Sequence, residues 1–402
     1  MGYETYRIAD LIDEIAMGPF GSNIKVSCFV DSGVPVLNGS NLEGFSLSEK
    51  TFRYVTRKKA DSLNKANAHR GDIVITHRGT LGQIVFIPQD SKYDRYVISQ
   101  SQFRVRCNDK VLPEYLVYYF HTPIGQHKLL SNASQVGVPA LARPSSTFQQ
   151  IEVVLPELSI QKCVVEIIST IQKKIVNNQE LNDNLLEQVL TLYRNRFVDT
   201  VNDERRICRA DEYFDISIGK TPPRKEPQWF STNPQDVTWV SISDMGTCGL
   251  YISSSSEQLT REAVDRHNVK VVPDNTVLLS FKLTVGRIAI TNGEMTTNEA
   301  IAHFKTDKKE INEYLYCYLK CFNYQTMGSS SSIATAVNSK IIKGMPFVVP
   351  TDNELKEFHD LAAPMFANIK ANQIETDNLV ALRDTLLPKL MSGELDVLDI
   401  DL

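Results

Sequence analysis

The sequence has few of the features that mark secreted, membrane-bound or strongly basic proteins. Its 402 residues carry a net charge of −5, so DNA binding would have to rest on local basic clusters. Seven cysteines without paired spacing indicate reduced thiols in a cytoplasmic protein, and Cys317 and Cys321 lack the second pair that a zinc site needs, so we expect no metal. No apolar run reaches the length of a membrane span, so we expect no membrane association.

Motifs for catalysis are also missing. The sequence has no glycine-rich phosphate loop, no His-Glu-x-x-His zinc motif and no nucleophile elbow. The nearest set of acids with a lysine is Asp352, Glu354 and Lys356, which falls in the first turn of a predicted helix, where carboxylates stabilise the helix dipole. We therefore expect no catalytic residue and no covalent chemistry in this chain.

Two long amphipathic stretches are present. From Leu158 to about Phe197, and again from Asn353 to about Leu390, apolar residues recur at the alternating spacing of three and four that is typical of a coiled coil. The predicted seam positions, related between the stretches by a shift of 194, include Ile171, Ile175, Asn178, Leu185, Ile369, Asn372 and Leu379. A polar residue in a seam fixes register, so we predict that the helices pair, antiparallel because the chain returns. Two independent amphipathic helices are the alternative.

The segments before each helix resemble each other. Residues 3–156 contain short β-rich runs and predict a small, strongly bent sheet with a short helix from Leu112. Residues 205–350 repeat the scheme, with Gly82 matching Gly286 at a shift of 204 and Glu114 matching Glu313 at a shift of 199. Collinear matches over this length indicate duplicated domains.

Local signals set the predicted boundaries. Apolar strands end at Pro156 and Pro350, Thr351 and Glu354 have the spacing of a capping box, and Pro388 with Gly393 should end the second helix. The predicted α+β order is a globular domain at 1–156, a central long helix at 157–200, a second globular domain at 201–350, a distal long helix at 351–395 and an acidic tail at 396–402.

A basic cluster lies in the first domain. Between residues 53 and 70 the cations, centred on Arg57, Lys58 and Lys59, are opposed by a single acid, Asp61. Such a cluster predicts contact with a phosphate backbone, because each neutralised phosphate releases a counterion. A solvated lysine-rich face is the alternative.

Two glycine-bearing turns give a sharper signal. Residues 77–83 and 281–287 each place a cation and a threonine on a bend between two strands. Such a bend can project side chains into a DNA groove, where Arg reads guanine and Gln reads adenine. The predicted DNA-binding residues of these turns are His77, Arg78, Thr80, Gln83, Lys282, Thr284 and Arg287. Ordinary hairpins with solvated cations are the alternative.

Other polar sets are less specific. Asn38, Ser40 and Asn41 correspond to Ser241, Ser243 and Asp244, and each set consists either of base readers or of turn residues that cap their own backbone. Lys220 and Arg224 lie in a basic loop with glycine and proline, and a serine-rich loop spans residues 328–332. Both loops are candidates for DNA contact, although linkers have the same composition.

The C-terminal stretch LLPKLMSGEL at residues 386–395, with the duplicated domains and alternating long helices, resembles the specificity subunit of type I restriction-modification systems. The likeness spans essentially the whole chain. It implies two target recognition domains separated by an antiparallel coiled coil with pseudo-twofold symmetry, each domain reading one half of a bipartite double-stranded DNA target. It also implies a non-catalytic subunit without a cofactor of its own.

The same resemblance implies the partners. Two methyltransferase subunits, which use S-adenosylmethionine to methylate adenine N6, would dock on the helices and recognition domains. Restriction subunits with ATP- and Mg-dependent translocase and nuclease activity would join them.

A helix of about 40 residues at roughly 1.5 Å each is near 60 Å long, so the coil is expected to set the gap between half-sites. A coiled-coil scaffold that binds no DNA, and a solitary nuclease with an unrecognised site, are the competing functions.

Overall fold

The computed structural model describes residues 2–134, 137–200, 202–327 and 338–397, and the chain forms two compact units. The first unit consists of Met1–Lys173 and Leu379–Leu402, and the second of Lys174–Asn378. Each unit therefore contains one globular segment and a part of each long helix. The predicted loop at residues 328–332 and the last five residues of the acidic tail lie outside the described residues.

The globular part of the first unit contains two main sheets where the sequence predicted one. The four-stranded sheet has the order Ile12–Met17, Gln102–Cys107, Ile73–Thr76, Ile84–Phe86. The five-stranded sheet has the order Phe29–Val30, Arg53–Val55, Val34–Val36, Arg95–Val97, Asn67–His69. Two-strand pairs join Glu4–Arg7 to Glu152–Leu155 and Ala133–Ser134 to Ala140–Leu141.

Alternation along the strand Ile73–Thr76 explains why two cores form. Ile73 and Ile75 pack into one apolar cluster, whereas Val74 packs into another. A strand that is buried on both faces needs a layer on each side. Four short helices complete this globular part: Arg57–Ser62, Pro113–His121, Pro123–Leu130 and Pro144–Gln149. Three of them begin with proline, which fits the first helical position because no N–H is needed there.

The second unit has the same architecture. Its five-stranded sheet has the order Asp215–Ile218, Ile301–Lys305, Val277–Ser280, Ile288–Thr291, Tyr251–Ile252. Its four-stranded sheet has the order Phe230–Ser231, Glu257–Leu259, Val237–Val240, Thr296–Thr297, and Arg206–Arg209 pairs with Pro346–Val349. The short helices are Ala210–Tyr213, Asp244–Thr247, Arg261–Arg266, Asn312–Cys321 and Ser339–Lys343.

Strand register confirms the duplication. Ile75 lies opposite Ile84 in the first unit, and Leu279 lies opposite Ile288 in the second. The shift of 204 relates the two pairs, so the same hairpin occurs in each unit.

The two long helices are Leu158–Tyr193, the central helix, and Asp352–Ser392, the distal helix. In the second unit the Asn178 amide donates to Glu375 at 2.8 Å, and Arg196 pairs with Glu357. In the first unit Arg383 donates to the Gln172 side chain at 3.0 Å. As the residue number increases along the central helix, the residue number of the contacting partner decreases along the distal helix. This confirms the predicted antiparallel pairing.

The seam residues are withdrawn from solvent. Ile175, Asn178 and Ile369 are buried, and Ile171, Leu185, Asn372 and Leu379 are half-buried. Within the described ranges, no helix has the length and apolar content needed to cross a membrane.

The helix ends differ in part from the predictions. The central helix ends at Tyr193 and is followed by a wider turn at Arg194–Val198. The capping box before the distal helix is confirmed, because the backbone N–H of Thr351 donates to Glu354 at 3.0 Å and the N–H of Glu354 is 3.3 Å from the Thr351 hydroxyl. Pro388 does not end the distal helix, which continues to Ser392 because buried leucines hold its last turns. Gly393, with φ +73°, ends it.

Candidate nucleic-acid interface

The first hairpin loop, residues 77–83, presents two exposed polar side chains. The backbone N–H of Thr76 donates to the Gln83 carbonyl at 3.0 Å and closes the loop, and Gly82 adopts φ +89°. A second segment supports the loop, since the N–H of Gly79 donates to the Pro139 carbonyl at 2.8 Å. Arg78 and Thr80 project into solvent from this braced backbone.

The second hairpin loop, residues 281–287, has the same form. The N–H of Ser280 donates to the Arg287 carbonyl at 2.9 Å, and Gly286 has φ +92°. Lys282 and Thr284 are exposed, and between them Leu283 is fully exposed at φ +60°. Left-handed backbone is unfavourable for a leucine, so the loop tip holds strain that a functional contact would explain.

The first polar turn, residues 38–41, is closed by Asn41. The Asn41 side chain accepts from the N–H of Asn38 at 3.0 Å and donates to the carbonyls of Ser48 and Thr51, both at 3.0 Å. Asn41 is buried and its amide is used within the turn, which favours the alternative that it caps its own backbone. Asn38 and Ser40 remain exposed.

The second polar turn, residues 241–244, repeats this arrangement with a carboxylate. Asp244 accepts from the N–H and hydroxyl of Ser241, at 2.8 and 2.6 Å, and from the N–H of Ser256 at 3.0 Å. Desolvation raises the pKa of Asp244, but these hydrogen bonds outweigh it and hold the pKa below its ordinary value. Asp244 and Ser241 are therefore turn residues, and Ser243 remains exposed.

One side chain in each unit ties the polar turn to the hairpin loop. Gln83 donates to the Gly39 carbonyl at 3.0 Å and accepts from the Thr76 hydroxyl at 3.0 Å. Arg287 donates to the Ile242 carbonyl at 2.5 Å. Gly39 and Ile242 are each the second residue of their turn, so the two contacts are equivalent. The oxygen and the nitrogen of the Gln83 amide thus each have a partner within the fold, and its contact with adenine stays a prediction.

A third segment, which the sequence did not single out, lies beside each hairpin loop. The N–H of His77 donates to the Ser101 carbonyl, and the N–H of Phe281 donates to the Ala300 carbonyl, both at 2.9 Å. The residues just before these carbonyls are Gln100 and Glu299, and both are exposed. The shift of 199 that relates Glu114 to Glu313 also relates Gln100 to Glu299. This repeat shift is the sequence feature from which the two residues could have been identified as equivalent.

His77 faces inward. Its imidazole Nε2 lies 3.2 Å from the Gln100 carbonyl, and burial lowers its pKa below the ordinary value. A neutral, hydrogen-bonded imidazole supports the loop, and its contact with DNA stays a prediction.

A cavity of about 350 Å³ opens next to the first polar turn. Its lining includes Phe20, Asn38, Arg53 and Gln100. Phe20 is 83% exposed, and the Arg53 guanidinium lies 5.3 Å from the centroid of the Phe29 ring. The cavity thus combines aromatic, cationic and amide groups, which suits contact with DNA bases and phosphates.

The predicted basic loop of the second unit is bound to its own fold. Arg224 donates to both carboxylate oxygens of Glu257, at 2.9 and 2.8 Å, and stacks 4.2 Å from the centroid of Phe230. The Lys220 ammonium donates to the His267 carbonyl at 2.6 Å. Both cations therefore have partners within the fold, and their contacts with DNA stay predictions.

The basic cluster of the first unit lies in the helix Arg57–Ser62, which begins at the cap residue Thr56. Asp61 pairs with Arg95 at 2.6 Å, so the one acid of the cluster is already used. Arg57, Lys58 and Lys59 form no ion pair with the described acids. Cations in the first turn oppose the helix dipole, an arrangement that an approaching phosphate would relieve.

A repeated α+β domain with a braced polar loop and exposed cations, joined to two paired long helices, defines a duplicated DNA-recognition protein. The family model described as "Type I restriction modification DNA specificity domain" matches residues 2–187 and 204–376. The chain therefore belongs to this family, and it is a DNA specificity subunit of a type I restriction-modification system.

Similar proteins agree with this assignment. The MjaIX specificity subunit of Methanocaldococcus jannaschii is 23% identical over 425 residues, covering 98% of this chain and 94% of the relative. The HindI specificity subunit of Haemophilus influenzae is 21% identical, covering 81% and 87%. The crystal structure of the type I S subunit from M. genitalium superposes with a TM-score of 0.57 at 14% identity, covering 97% and 96%, and confirms the predicted fold class.

Proposed function

We propose that this specificity subunit is non-catalytic and that each of its units reads one half of a bipartite double-stranded DNA target. The observation that carries the proposal is the double occurrence of one constellation, a polar turn fastened to a hairpin loop by Gln83 or Arg287. Both loops direct a cation and a threonine into solvent. Two copies of one reading surface with different side chains suit two different half-sites.

The exposed side chains divide into two groups by the contacts that they favour. Arg78 and Lys282 stand on braced loops and are proposed to reach base edges in a groove, where Arg and Lys favour guanine O6 and N7. Arg57, Lys58 and Lys59 lie together on one helix and are proposed to contact phosphates, which orients the protein without reading sequence.

The long helices are proposed to set the gap between the half-sites. They contain 36 and 41 residues, so at about 1.5 Å per residue each extends roughly 55–60 Å, more than one turn of DNA at about 34 Å. Seam residues such as Ile175 and Ile369 would hold this distance constant.

The outer faces of the helices are proposed to dock two methyltransferase subunits. Val176, Leu181, Leu361 and Ile374 are large apolar side chains that are 40 to 51% exposed on these helices. S-adenosylmethionine would bind the methyltransferases, and ATP with Mg would bind restriction and translocase subunits that join the complex in the cytoplasm. The chain itself would bind no cofactor.

The test is to express the chain with its methyltransferase subunits and map methylated adenines across a genome. We expect a two-part motif with a fixed gap. Arg78→Glu should relax or abolish recognition of one half-site and Lys282→Glu of the other, whereas Lys110→Glu, an exposed cation elsewhere in the first unit, should change neither. If Arg78→Glu or Lys282→Glu weakens methylation of all sites equally, that residue contacts phosphates.

Two further measurements address the competing functions. A complex that binds DNA through phosphates loses affinity steeply as salt is added, whereas a scaffold shows no such dependence. Cleavage or methylation of DNA by the purified chain alone would show that it is an enzyme and would overturn the proposal.

A further inference from the structure

Gln100 and Glu299 occupy the same place in the two units, and backbone contacts fix that place. The N–H of Gly18 donates to the Gln102 carbonyl at 2.8 Å, and the N–H of Gly219 donates to the Ile301 carbonyl at 3.1 Å. A Cβ atom on Gly18 would lie 1.9 Å from the Ser99 carbonyl oxygen, and one on Gly219 would lie 2.1 Å from that of Asn298. In both units a glycine loop therefore packs against the residue immediately before Gln100 or Glu299.

The chemistry at this shared position differs between the units. The Gln100 amide offers a donor and an acceptor, and it makes no hydrogen bond with the described residues. It lines the cavity that Asn38 and Arg53 also line, so both of its groups are available to a ligand there.

Glu299 offers only acceptors. It accepts a hydrogen bond from the Thr221 hydroxyl, and it interacts electrostatically with Lys282 and Arg224. Desolvation raises its pKa, but the hydrogen bond from Thr221 and the two cations outweigh it and keep the pKa below the ordinary value. The carboxylate is therefore ionised at neutral pH.

An ionised carboxylate repels phosphates, so on a DNA-binding surface the oxygens of Glu299 are better suited to accept a hydrogen bond from a base than to lie against the backbone. In the major groove the exocyclic amino group of cytosine is such a donor, and Glu accepts from it. Adenine also has an amino group, but its neighbouring N7 is an acceptor that disfavours a carboxylate. The donor and acceptor of a glutamine match adenine N7 and N6 together.

We infer that Gln100 and Glu299 form one specificity-determining position of the recognition fold, reading adenine in the half-site of the first unit and cytosine in that of the second. The inference rests on the proposed function, since it requires that each unit reads a half-site. The inference adds Gln100 and Glu299 to the proposed DNA-reading residues of the hairpin loops, and it assigns each of the two a preferred base.

The experiment uses the full complex with its methyltransferase subunits and genome-wide mapping of methylated adenines. Glu299→Gln should change one position of one half-site from cytosine toward adenine, with the preference for cytosine falling about tenfold or more. Gln100→Glu should make the reverse change in the other half-site. Glu294→Gln, an exposed acid-to-amide change elsewhere in the second unit, should leave the motif unchanged.

A second variant separates base reading from support of the loop. Thr221→Val removes the hydroxyl but keeps the carboxylate, so it should retain the preference for cytosine. If Thr221→Val changes the motif as Glu299→Gln does, or if Glu299→Gln leaves the motif intact, the inference is overturned. The proposed function fails separately, when the wild-type complex yields no two-part motif.

Discussion

The side-chain amide of Asn372 donates a hydrogen bond to the side-chain carbonyl of Asn182 at 2.9 Å, joining the distal helix to the central helix. The Asn182 amide in turn lies 3.4 Å from the Ile369 carbonyl. These groups meet in only one register, because sliding either helix would place an amide against an apolar seam residue. The pair therefore restricts the helices to one alignment at some cost in apolar packing.

A double-mutant cycle on this pair should show positive coupling. Asn182→Ala or Asn372→Ala alone leaves the other amide without its partner in a half-buried seam, so each should lower the free energy of unfolding by about 1–2 kcal/mol. The double variant should cost less than the sum of the two, by about 1 kcal/mol in urea denaturation. Asn177→Ala, at an exposed position one residue from Asn178, should have little effect. Strictly additive losses would show that the pair does not interact in solution.

The contact between Glu354 and Arg205 should make stability depend on pH. Desolvation raises the pKa of Glu354, but hydrogen bonds from Arg205, Asn202 and Thr351 lower it to about 2. Because the pKa is lower in the folded state, the stabilisation is present above the ordinary value of 4.5 and is lost as the pH falls toward 2. The carboxylate side chain is only 14% exposed, so the contribution at neutral pH is on the order of 3 kcal/mol.

Glu354→Gln tests this directly by urea unfolding at two pH values. The variant should be less stable than the wild type at pH 7, and the difference should shrink at pH 3.5. Glu262→Gln, which removes an exposed ion pair with Arg266, should change stability little at either pH. A difference that stays constant with pH would mean that the carboxylate charge is not the source.

The contacts that hold the polar turns should affect discrimination between cognate and altered DNA sites more than they affect the stability of the fold. Gln83→Ala and Arg287→Ala each remove the contact that holds a polar turn to its hairpin loop. Methylation of a site with one altered base should therefore rise several-fold relative to methylation of the cognate site. Each variant should have this effect only for alterations in the half-site that its own unit reads. Arg287→Gln should keep most of the discrimination, because Gln83 makes the equivalent contact in the first unit. Relative methylation rates measure the effect, and Gln89→Ala is an exposed control. If Arg287→Gln behaves like Arg287→Ala, the guanidinium has a role besides holding the turn.

The sequence predicts the features that depend on local patterns. The seam residues, the capping box at Thr351 and the two hairpin loops all follow from spacing within a few residues, and the structure contains them. The second sheet of the first unit was not predictable in this way. It depends on the parallel pairing of Val36 with Val97, which brings together strands far apart in the chain.

The roles of individual polar residues were harder to predict for the same reason. Gln83 and Arg224 have the composition of DNA-contacting residues, but their partners, Gly39 and Glu257, lie 44 and 33 residues away. Nothing near Gln83 or Arg224 in sequence shows that these side chains are already engaged. Gln100 and Glu299 are related in sequence by the repeat shift of 199, but it is the register of the neighbouring strands that places them beside the loops.

The length of the paired helices should determine the gap between half-sites. Repeating residues 167–173 after Lys173 and residues 379–385 before Leu379 adds one heptad to each helix at opposed positions. Seven residues add about 10 Å and turn the helix to within about 20° of its starting face, so the seam continues. DNA rotates by about 35° per base pair, so the motif should keep both half-sites while its gap grows by one to three base pairs. Adding the heptad to one helix alone should abolish the motif, because the seam residues no longer oppose each other. An unchanged gap after the matched insertion would show that the helices do not set the spacing.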